Sequence, residues 1–291
     1  MAVAVVGSPT NEATTKIVRA WEALGIDVSL VAARDVATKL TRDDVVLNRL
    51  DVSPTLDGVE PGLLTVFFLE RRGVPVLNAV PALLGAHDKL RTARLLERAR
   101  LPHPATVHVA SVADVSLRPP VVVKPRFGSW GADVVLCRDD QEIRRCLDEF
   151  RDRPWFRRHG AILQEAIPSH GHDLRVIVAG GCVVGVAERV AAVEEWRTNI
   201  SCGGSLRSAQ APDTALELAR TAVAAISGDL VGVDLMPLGG DRFVVLELNG
   251  AVEFDDAYSF EGANVHQAAA SALGLLPTRA RRVRVPVATA P

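Results

Sequence analysis

The chain has 291 residues, 48% of them hydrophobic and 23% charged, which is enough to bury one or two globular cores and excludes a disordered or fibrous chain. Formal charge is −2, from 33 basic and 35 acidic side chains, so the sequence-independent attraction to phosphate backbones that a nucleic-acid binder exploits is missing and no nucleic-acid partner is expected. No apolar run reaches the roughly 18 residues of a bilayer span, and the first nine residues are neither basic nor apolar enough for a leader, so no membrane partner and a cytoplasmic location are expected.

In chain order, the first 85 residues alternate β-branched runs with helical patterns, which predicts a parallel sheet with helical crossovers. Strands are predicted at 2–6, 27–31, 44–47 and 73–78, and helices at 12–24 and 63–72. The loop Gly7-Ser8-Pro9-Thr10 lacks the glycine pattern of a dinucleotide site. From 86 to 100 the spacing of Leu90, Ala93, Leu96 and Ala99 predicts one helix bridging two units. Strand 120–125, ending in Lys124, leads through the loop Gly128-Ser129-Trp130-Gly131 to strand 133–137, then helix 140–150 and strand 161–165. Beyond Pro168 the pattern turns antiparallel, with Gly180-Gly181 between the runs 173–179 and 182–190 as a hairpin signal. Thr214 and Glu217 are spaced as a capping box opening a helix that Gly228 closes; strands 230–236 and 242–248 and a helix near 265–273 follow. The tail 277–291 carries Arg279, Arg281, Arg282 and Arg284 and reads as a surface extension. The four cysteines lack a Cys-x-x-Cys pattern and are expected to be reduced and mostly buried.

Asp234, Glu247 and Asn249 form the strongest constellation. Glu247 and Asn249 lie two apart on a strand and share a face. A hairpin turning through Gly240-Asp241 sets Asp234 opposite Glu247. Both acids sit in apolar runs, where an unpaired carboxylate is costly, so a metal is expected to hold them, and oxygen donors suit Mg²⁺. Lys89 and Lys124 are two of only four lysines in this arginine-rich chain, and Lys124 precedes a loop whose backbone N–H groups can close over phosphate. Gln164-Glu165-Ala166-Ile167 can present an adenine edge and a ribose with partners, although an ordinary strand end is the plainer reading. Arg197 offers a planar fork for phosphate or carboxylate, and Arg175 and Arg189 alternate onto common faces of the preceding hairpin.

Taken together, these residues resemble the ATP-grasp ligases, most closely the RimK-type branch that includes the carrier-protein ligases of lysine and arginine biosynthesis. The likeness runs from Asn78 through His87-Asp88-Lys89, Lys124-Pro125, Leu163-Gln164-Glu165, Asp173-Leu174-Arg175, Glu188-Arg189 and Trp196-Arg197-Thr198-Asn199 to Gly232-Val233-Asp234 and Glu247-Leu248-Asn249. It implies an α/β fold, α+β in the C-terminal part: a parallel-sheet domain at 1–85, a smaller ATP-grasp subdomain at 86–168, a metal-bearing subdomain at 169–276 and a tail at 277–291. It further implies that Lys89, Lys124 and the Gly128, Ser129, Trp130, Gly131 loop hold ATP phosphates. Gln164, Glu165 and Ile167 then line adenine and ribose, with Asp173 reaching ribose. Asp234, Glu247 and Asn249 bind Mg²⁺, two ions with Mn²⁺ as a substitute, while Arg197 and Asn199 meet phosphate or the activated carboxylate, aided by Arg175 and Arg189. Cys202 stands where related ligases carry Arg before Gly-Gly, and Gly250 to Phe254 replace Ser-Ser-Pro-Gly; both departures fall near the acceptor site. The implied activity is carboxylate–amine ligation through an acyl phosphate by a homo-oligomer, attaching an amino acid to a peptide, a small carrier protein or a small amino compound. Alternatives are a free dipeptide or natural-product amide synthetase and, in another class, a non-catalytic nucleotide-binding regulatory module.

Overall fold

Parallel strands need crossover segments that carry the chain back to the same end of the sheet. In the computed structural model, which describes residues 2–41 and 43–276, β1 (Val3–Val6), β2 (Val28–Val31), β3 (Val45–Asn48) and β4 (Val76–Leu77) accordingly form a parallel sheet in the order β2-β1-β3-β4. Their crossovers are α1 (Glu12–Ala23), α2 (Val36–Lys39) and α3 (Leu63–Arg71). Between β3 and α3 the loop 51–60 closes on itself through a Val52–Val59 bridge and drives Leu56 and Val52 into the core of the neighbouring unit. There Asp57 accepts hydrogen bonds from Arg158 (3.0 Å) and His159 (2.7 Å).

The single helix expected from residue 86 is two helices, α4 (Val80–His87) and α5 (Lys89–Arg98), divided at Asp88. Asp88 is extended, and its carboxylate accepts the Leu90 and Arg91 N–H groups, which caps α5 and makes Lys89 its first residue.

The central sheet, β5 (Thr106–Val109), β6 (Val121–Pro125), β7 (Val135–Cys137) and β8 (Ala161–Glu165), runs β5-β8-β6-β7 with every pair antiparallel. Antiparallel pairing thus begins before Pro168, because β6 returns directly through the glycine loop rather than through a crossover. α6 (Asp140–Phe150) and α7 (Pro154–His159) bury Ile143, Leu147, Trp155 and Phe156 against it.

The third sheet orders β11 (Ser205–Ser208), β10 (Cys182–Val190), β9 (His172–Ala179), β12 (Leu230–Pro237) and β13 (Phe243–Asn249), all antiparallel. Gly180 and Gly181 both take positive φ, +52° and +77°, as a two-residue hairpin of this hand requires. α8 (Asp213–Ala225) covers one face with Ala215, Ala219, Ala222 and Val223. The expected capping box does not form: Pro212 precedes the helix, Thr214 already lies in its first turn, and Glu217 bonds Arg220 and Thr221 instead. The chain leaves α8 through Ser227 at positive φ, not Gly228. On the opposite face Ile177 and Ala179 join α9 (Val265–Ala272), Trp21 and the N-terminal sheet in one core.

Asn78, also at positive φ, fastens the N-terminal sheet to the third. Its amide accepts from the Asp229 and Leu230 N–H groups and donates to the Leu230 and Gly250 carbonyls. Cys137 and Cys146 are buried, Cys182 is exposed and Cys202 partly so; all four are free, so burial was expected too widely. Among the described residues no helix is long and apolar enough to cross a membrane. The arginine-bearing tail 277–291 lies outside the described residues.

Candidate active site

One face of the third sheet gathers the charged residues, because strand alternation and register bring them together. Asp173 lies opposite Arg189, Arg175 opposite Asp234, and Asp234 opposite Glu247. The last pairing arises differently from the simple hairpin expected. Leu238 and Arg242 close a three-residue turn containing Gly239 and Gly240, and a bulge after Val245 inserts Leu246, which restores Glu247 to its place across from Asp234.

Asp234 is 1% exposed and is gripped by two guanidinium groups: Arg175 donates to both oxygens (2.7 and 2.8 Å), and Arg189 reaches within 2.8 Å. Burial alone would push this carboxyl up, but the fields of Arg175 and Arg189 overcome it and hold the acid well below the usual range. The compensation assigned to a metal from sequence is therefore supplied, for Asp234, by arginine. Asp173 is likewise buried and bonded by Arg189 through both oxygens (2.8 and 2.6 Å) and by the Thr198 hydroxyl (2.7 Å), so its carboxylate anchors Arg189 rather than standing open for a ribose.

Opposite this face stand the lysines. Lys89 donates to the Gly128 carbonyl (2.8 Å) and lies 3.2 Å from Glu247. Lys124, at the end of β6, donates to Gln164 Oε1 (2.7 Å), and Gln164 donates in turn to Thr106. Burial pushes the Lys124 ammonium down to about 8 against the opposing field of Glu247. A fork from Arg126 to Asp88 (2.7 and 2.5 Å) ties the cap of α5 to the start of the glycine loop. The loop is strapped to the third unit: Arg197 donates to the Gly131 carbonyl (3.0 Å) and Ser201 to the Trp130 carbonyl (2.7 Å). Glu195 orients Arg197 through two contacts (3.1 and 2.8 Å), and hydrogen bonds from the Arg197 side chain and backbone hold the Glu195 carboxyl at about 2.

These residues surround a cavity of about 120 Å³. Its lining includes Lys89, Lys124, Gly128, Ser129, Trp130, Gly131, Gln164, Glu165, Ile167, Asp173, Arg189, Arg197, Asn199, Asp234 and Glu247. Two expected residues, Arg175 and Asn249, line instead an adjoining cavity of about 550 Å³ that shares Ser129, Trp130, Arg189, Asn199 and Glu247 with the first. Val122, Val134, Met236 and Leu246 add an apolar wall that sequence reading missed; Met236 was legible, being two residues from Asp234, but Leu246 depends on the bulge. Glu195, which aims Arg197, carried no signal in the chain, and Thr198, which bonds Asp173, stood in the segment Trp196-Arg197-Thr198-Asn199 without a role of its own.

The donor set suits a hard divalent cation. Asn249 Nδ2 lies 3.4 Å from Asp234, so two carboxylates and an amide meet on adjacent strands, oxygen donors of the kind magnesium accepts while keeping water and phosphate oxygens. Glu247 and Asn249 carry the more available oxygens, with Asp234 behind them.

Residues 86–273 match the family of RimK-like ATP-grasp domains. The tetrahydromethanopterin:α-L-glutamate ligase of Methanosarcina acetivorans is 30% identical over 79% of this chain and 70% of its own length. The glutamate–LysW ligase ArgX of Sulfurisphaera tokodaii is 30% identical over 68% of this chain and 72% of its own. Among solved structures, a RimK domain ATP-grasp protein from Sphaerobacter thermophilus covers 95% of this chain and 100% of its own at 20% identity, with a TM-score of 0.65. The D-alanine–D-alanine ligase of Bacillus anthracis covers 95% of each chain at 15% identity with a TM-score of 0.68.

Proposed function

The chain belongs to the RimK-like ATP-grasp family and is an ATP-dependent carbon–nitrogen ligase, and from that premise we propose that it joins an amino acid to a carboxylate borne by a peptide or small carrier protein. The observation that carries this reading is the convergence of Lys89, Lys124, Arg189 and Arg197 on one cavity, faced by Asp234 and Glu247. Four cations around a space of that kind suit a polyphosphate, and the carboxylates beside them suit its counter-ion.

A carboxylate is a poor electrophile, so the reaction runs in two steps. A carboxylate oxygen attacks the γ-phosphorus of ATP, the bond to the β–γ bridging oxygen breaks, and ADP leaves. The lone pair of the amine then attacks the acyl carbon; the C–N bond forms, the C–O bond to phosphate breaks, and phosphate departs with that electron pair while the nitrogen gives up its proton to it. Lys89 and Lys124 hold the phosphates as point charges. Arg197 and Asn199 meet the transferring phosphoryl group or the activated carboxylate, and Glu195 keeps the Arg197 fork in plane. Arg175 and Arg189, set by Asp234 and Asp173, bring positive charge to the junction of the two cavities. The strap between the glycine loop and residues 197–202 keeps water from the acyl phosphate. Glu247 and Asn249, backed by Asp234, would hold a divalent ion, which when bound neutralises phosphoryl oxygens; two magnesium ions, with manganese as a substitute, belong to this reading. So do a cytoplasmic homo-oligomer and a division of labour among 1–85, 86–168 and 169–276; light scattering tests the assembly.

ADP formation from Mg-ATP with pooled amino acids and peptides ending in a carboxylate, read with new masses in the same tubes, tests the proposal. Amine-dependent ADP release and a product one water lighter than its two substrates support it. Failure to bind ATP overturns it.

A further inference from the structure

Tyr258, the only tyrosine of the chain, is set against β10 by the segment that follows β13. Ser259 bridges Gly185 of β10, and a Cβ on Gly185 would lie 2.9 Å from the Tyr258 carbonyl oxygen and 3.2 Å from Tyr258 Cβ, so glycine at that point of the strand is what admits the tyrosine. The turn that carries it is fixed at both ends: Asp255 accepts the Ala257 N–H (2.9 Å) and Asn264 donates to Asp256 (2.8 Å). The side chain is 3% exposed and lines the larger cavity. Its hydroxyl has no hydrogen-bond partner among the described residues, yet it is not one of the sealed atoms left unmet there, which are Arg49 Nη1, His87 Nε2 and His266 Nδ1. The hydroxyl is therefore open to the cavity, a polar atom at the tip of a buried ring that the protein itself does not satisfy.

Arg175 supplies a second open donor. Its Nε and Nη2 are spent on Asp234 (2.7 and 2.8 Å), whereas Nη1 donates to nothing among the described residues and is not sealed either. Like Tyr258, Arg175 lines the larger cavity and not the smaller. Burial pushes the Tyr258 hydroxyl up, and the fields of Arg175 and then Arg189 draw it only partly back, so it stays protonated at neutral pH. A hydroxyl that donates, beside a guanidinium that can only donate, suits a carboxylate oxygen and disfavours an ammonium. The acids lining the same cavity are bonded elsewhere: Asp51 accepts from Asn11 (3.1 Å) and the Val52 N–H (2.7 Å), Glu60 from the Asp51 N–H (3.0 Å) and Glu253 from Lys16 (2.8 Å).

Placement decides which carboxylate. The one under activation has to meet the γ-phosphate, at the junction lined by residues that the two cavities share, Arg189 and Asn199 among them. Tyr258 and Arg175 stand off that junction. We infer that Tyr258 Oη and Arg175 Nη1 together seat the α-carboxylate of the incoming amino acid, which takes no part in bond making, and that Tyr258 is thereby a specificity residue selecting an amino acid over the bare amine. The inference rests on the ligase reading above and adds to it the residue that recognises the second substrate.

Because the chain has one tyrosine, carbon-13 labelling of the tyrosine ring gives a single reporter at this position. The full chain so labelled, loaded with magnesium and a non-hydrolysable ATP analogue, is titrated with each protein amino acid and with the amine left when its α-carboxylate is removed. At least one amino acid is expected to move the tyrosine signal saturably, and its matching amine to bind at least about tenfold more weakly. In Tyr258→Phe, which keeps the ring and loses only the hydroxyl, the same amino acid is expected to lose about tenfold in affinity by calorimetry, while the matching amine and the ATP analogue bind as before. An amino acid and its amine binding alike, binding that leaves the signal unmoved, unchanged affinity in Tyr258→Phe, or no amino acid binding to the analogue-loaded protein overturns the inference and leaves the ligase reading standing. Failure of the analogue itself to bind removes the ligase reading and the inference with it.

Discussion

Asp234 and Glu247 face each other across two strands, yet their environments assign them different work. Asp234 holds two buried guanidinium groups, so Asp234→Ala leaves Arg175 without a carboxylate and Arg189 with Asp173 alone, and is expected to cost about 3–5 kcal/mol of stability. Glu247 is partly exposed and meets one lysine; Glu247→Gln keeps its shape and is expected to leave the urea midpoint unchanged while lowering turnover by roughly a hundredfold or more. Measuring both quantities in both variants separates a folding residue from a chemical one. Lys124 adds a pH signature. Below about 8 it is charged in the free protein; above that, nucleotide binding must bring a proton with it, so affinity falls as pH rises. Between pH 7 and 9 the affinity for a non-hydrolysable ATP analogue is expected to weaken roughly tenfold, and Lys124→Gln should flatten that profile. Asp234, Glu247 and Lys124 were legible from the chain because each stands in an apolar run, Lys124 just ahead of a glycine loop; Lys89 and Arg197 were legible through the order and spacing of the segments that resemble the ligases. The partners that aim them were not: Asp173 holding Arg189 is a cross-strand pair whose register depends on the β9–β10 hairpin, and nothing in Glu195 or Thr198 marks either as a holder of charge.

Elements whose ends are set by local chemistry were read closely. α6, β8 and β10 begin and end where expected; Asp139 caps the first, and Gly160 and Gly181 set the starts of the other two. β5, α7 and α4 escaped notice because the runs are short or rich in proline, and tertiary packing decides them. The division at Asp88 was hidden for a different reason: the apolar stripe continues across it, and only the cap interrupts the backbone. The hairpin at Gly180-Gly181 carries a prediction of its own. A Cβ on Gly180 would lie 2.2 Å from the Ala272 carbonyl oxygen at a φ of +52°, so Gly180→Ala is expected to destabilise the fold by at least ~1 kcal/mol, read from the urea midpoint. Gly181, with open space around it, shares the strained φ but not the clash, so Gly181→Ala should cost less.

At the scale of the whole molecule, the units are joined by few residues with many bonds. Asn78 serves four backbone groups of the third sheet and its following turn, and Asn78→Ala orphans them at once; a loss of about 3 kcal/mol is expected, with the urea transition broadening if the N-terminal sheet then melts separately. The loop 51–60 makes the other join. Its tip, Leu56, is buried in the unit that supplies Lys124 and the glycine loop, while its neck, Asp51 and Glu60, walls the larger cavity. A shift of that unit around nucleotide would therefore pull on the wall of the larger cavity and on a substrate held there. Binding free energies linked in this way are reciprocal: whatever factor nucleotide adds to the affinity for the other substrate, that substrate adds to the affinity for nucleotide. Loosening the tip by Leu56→Ala should shrink both factors equally, as paired titrations would register. The rate of ATP breakdown in the absence of an acceptor would rise with the same change, because occupancy of one compartment would no longer report on the other.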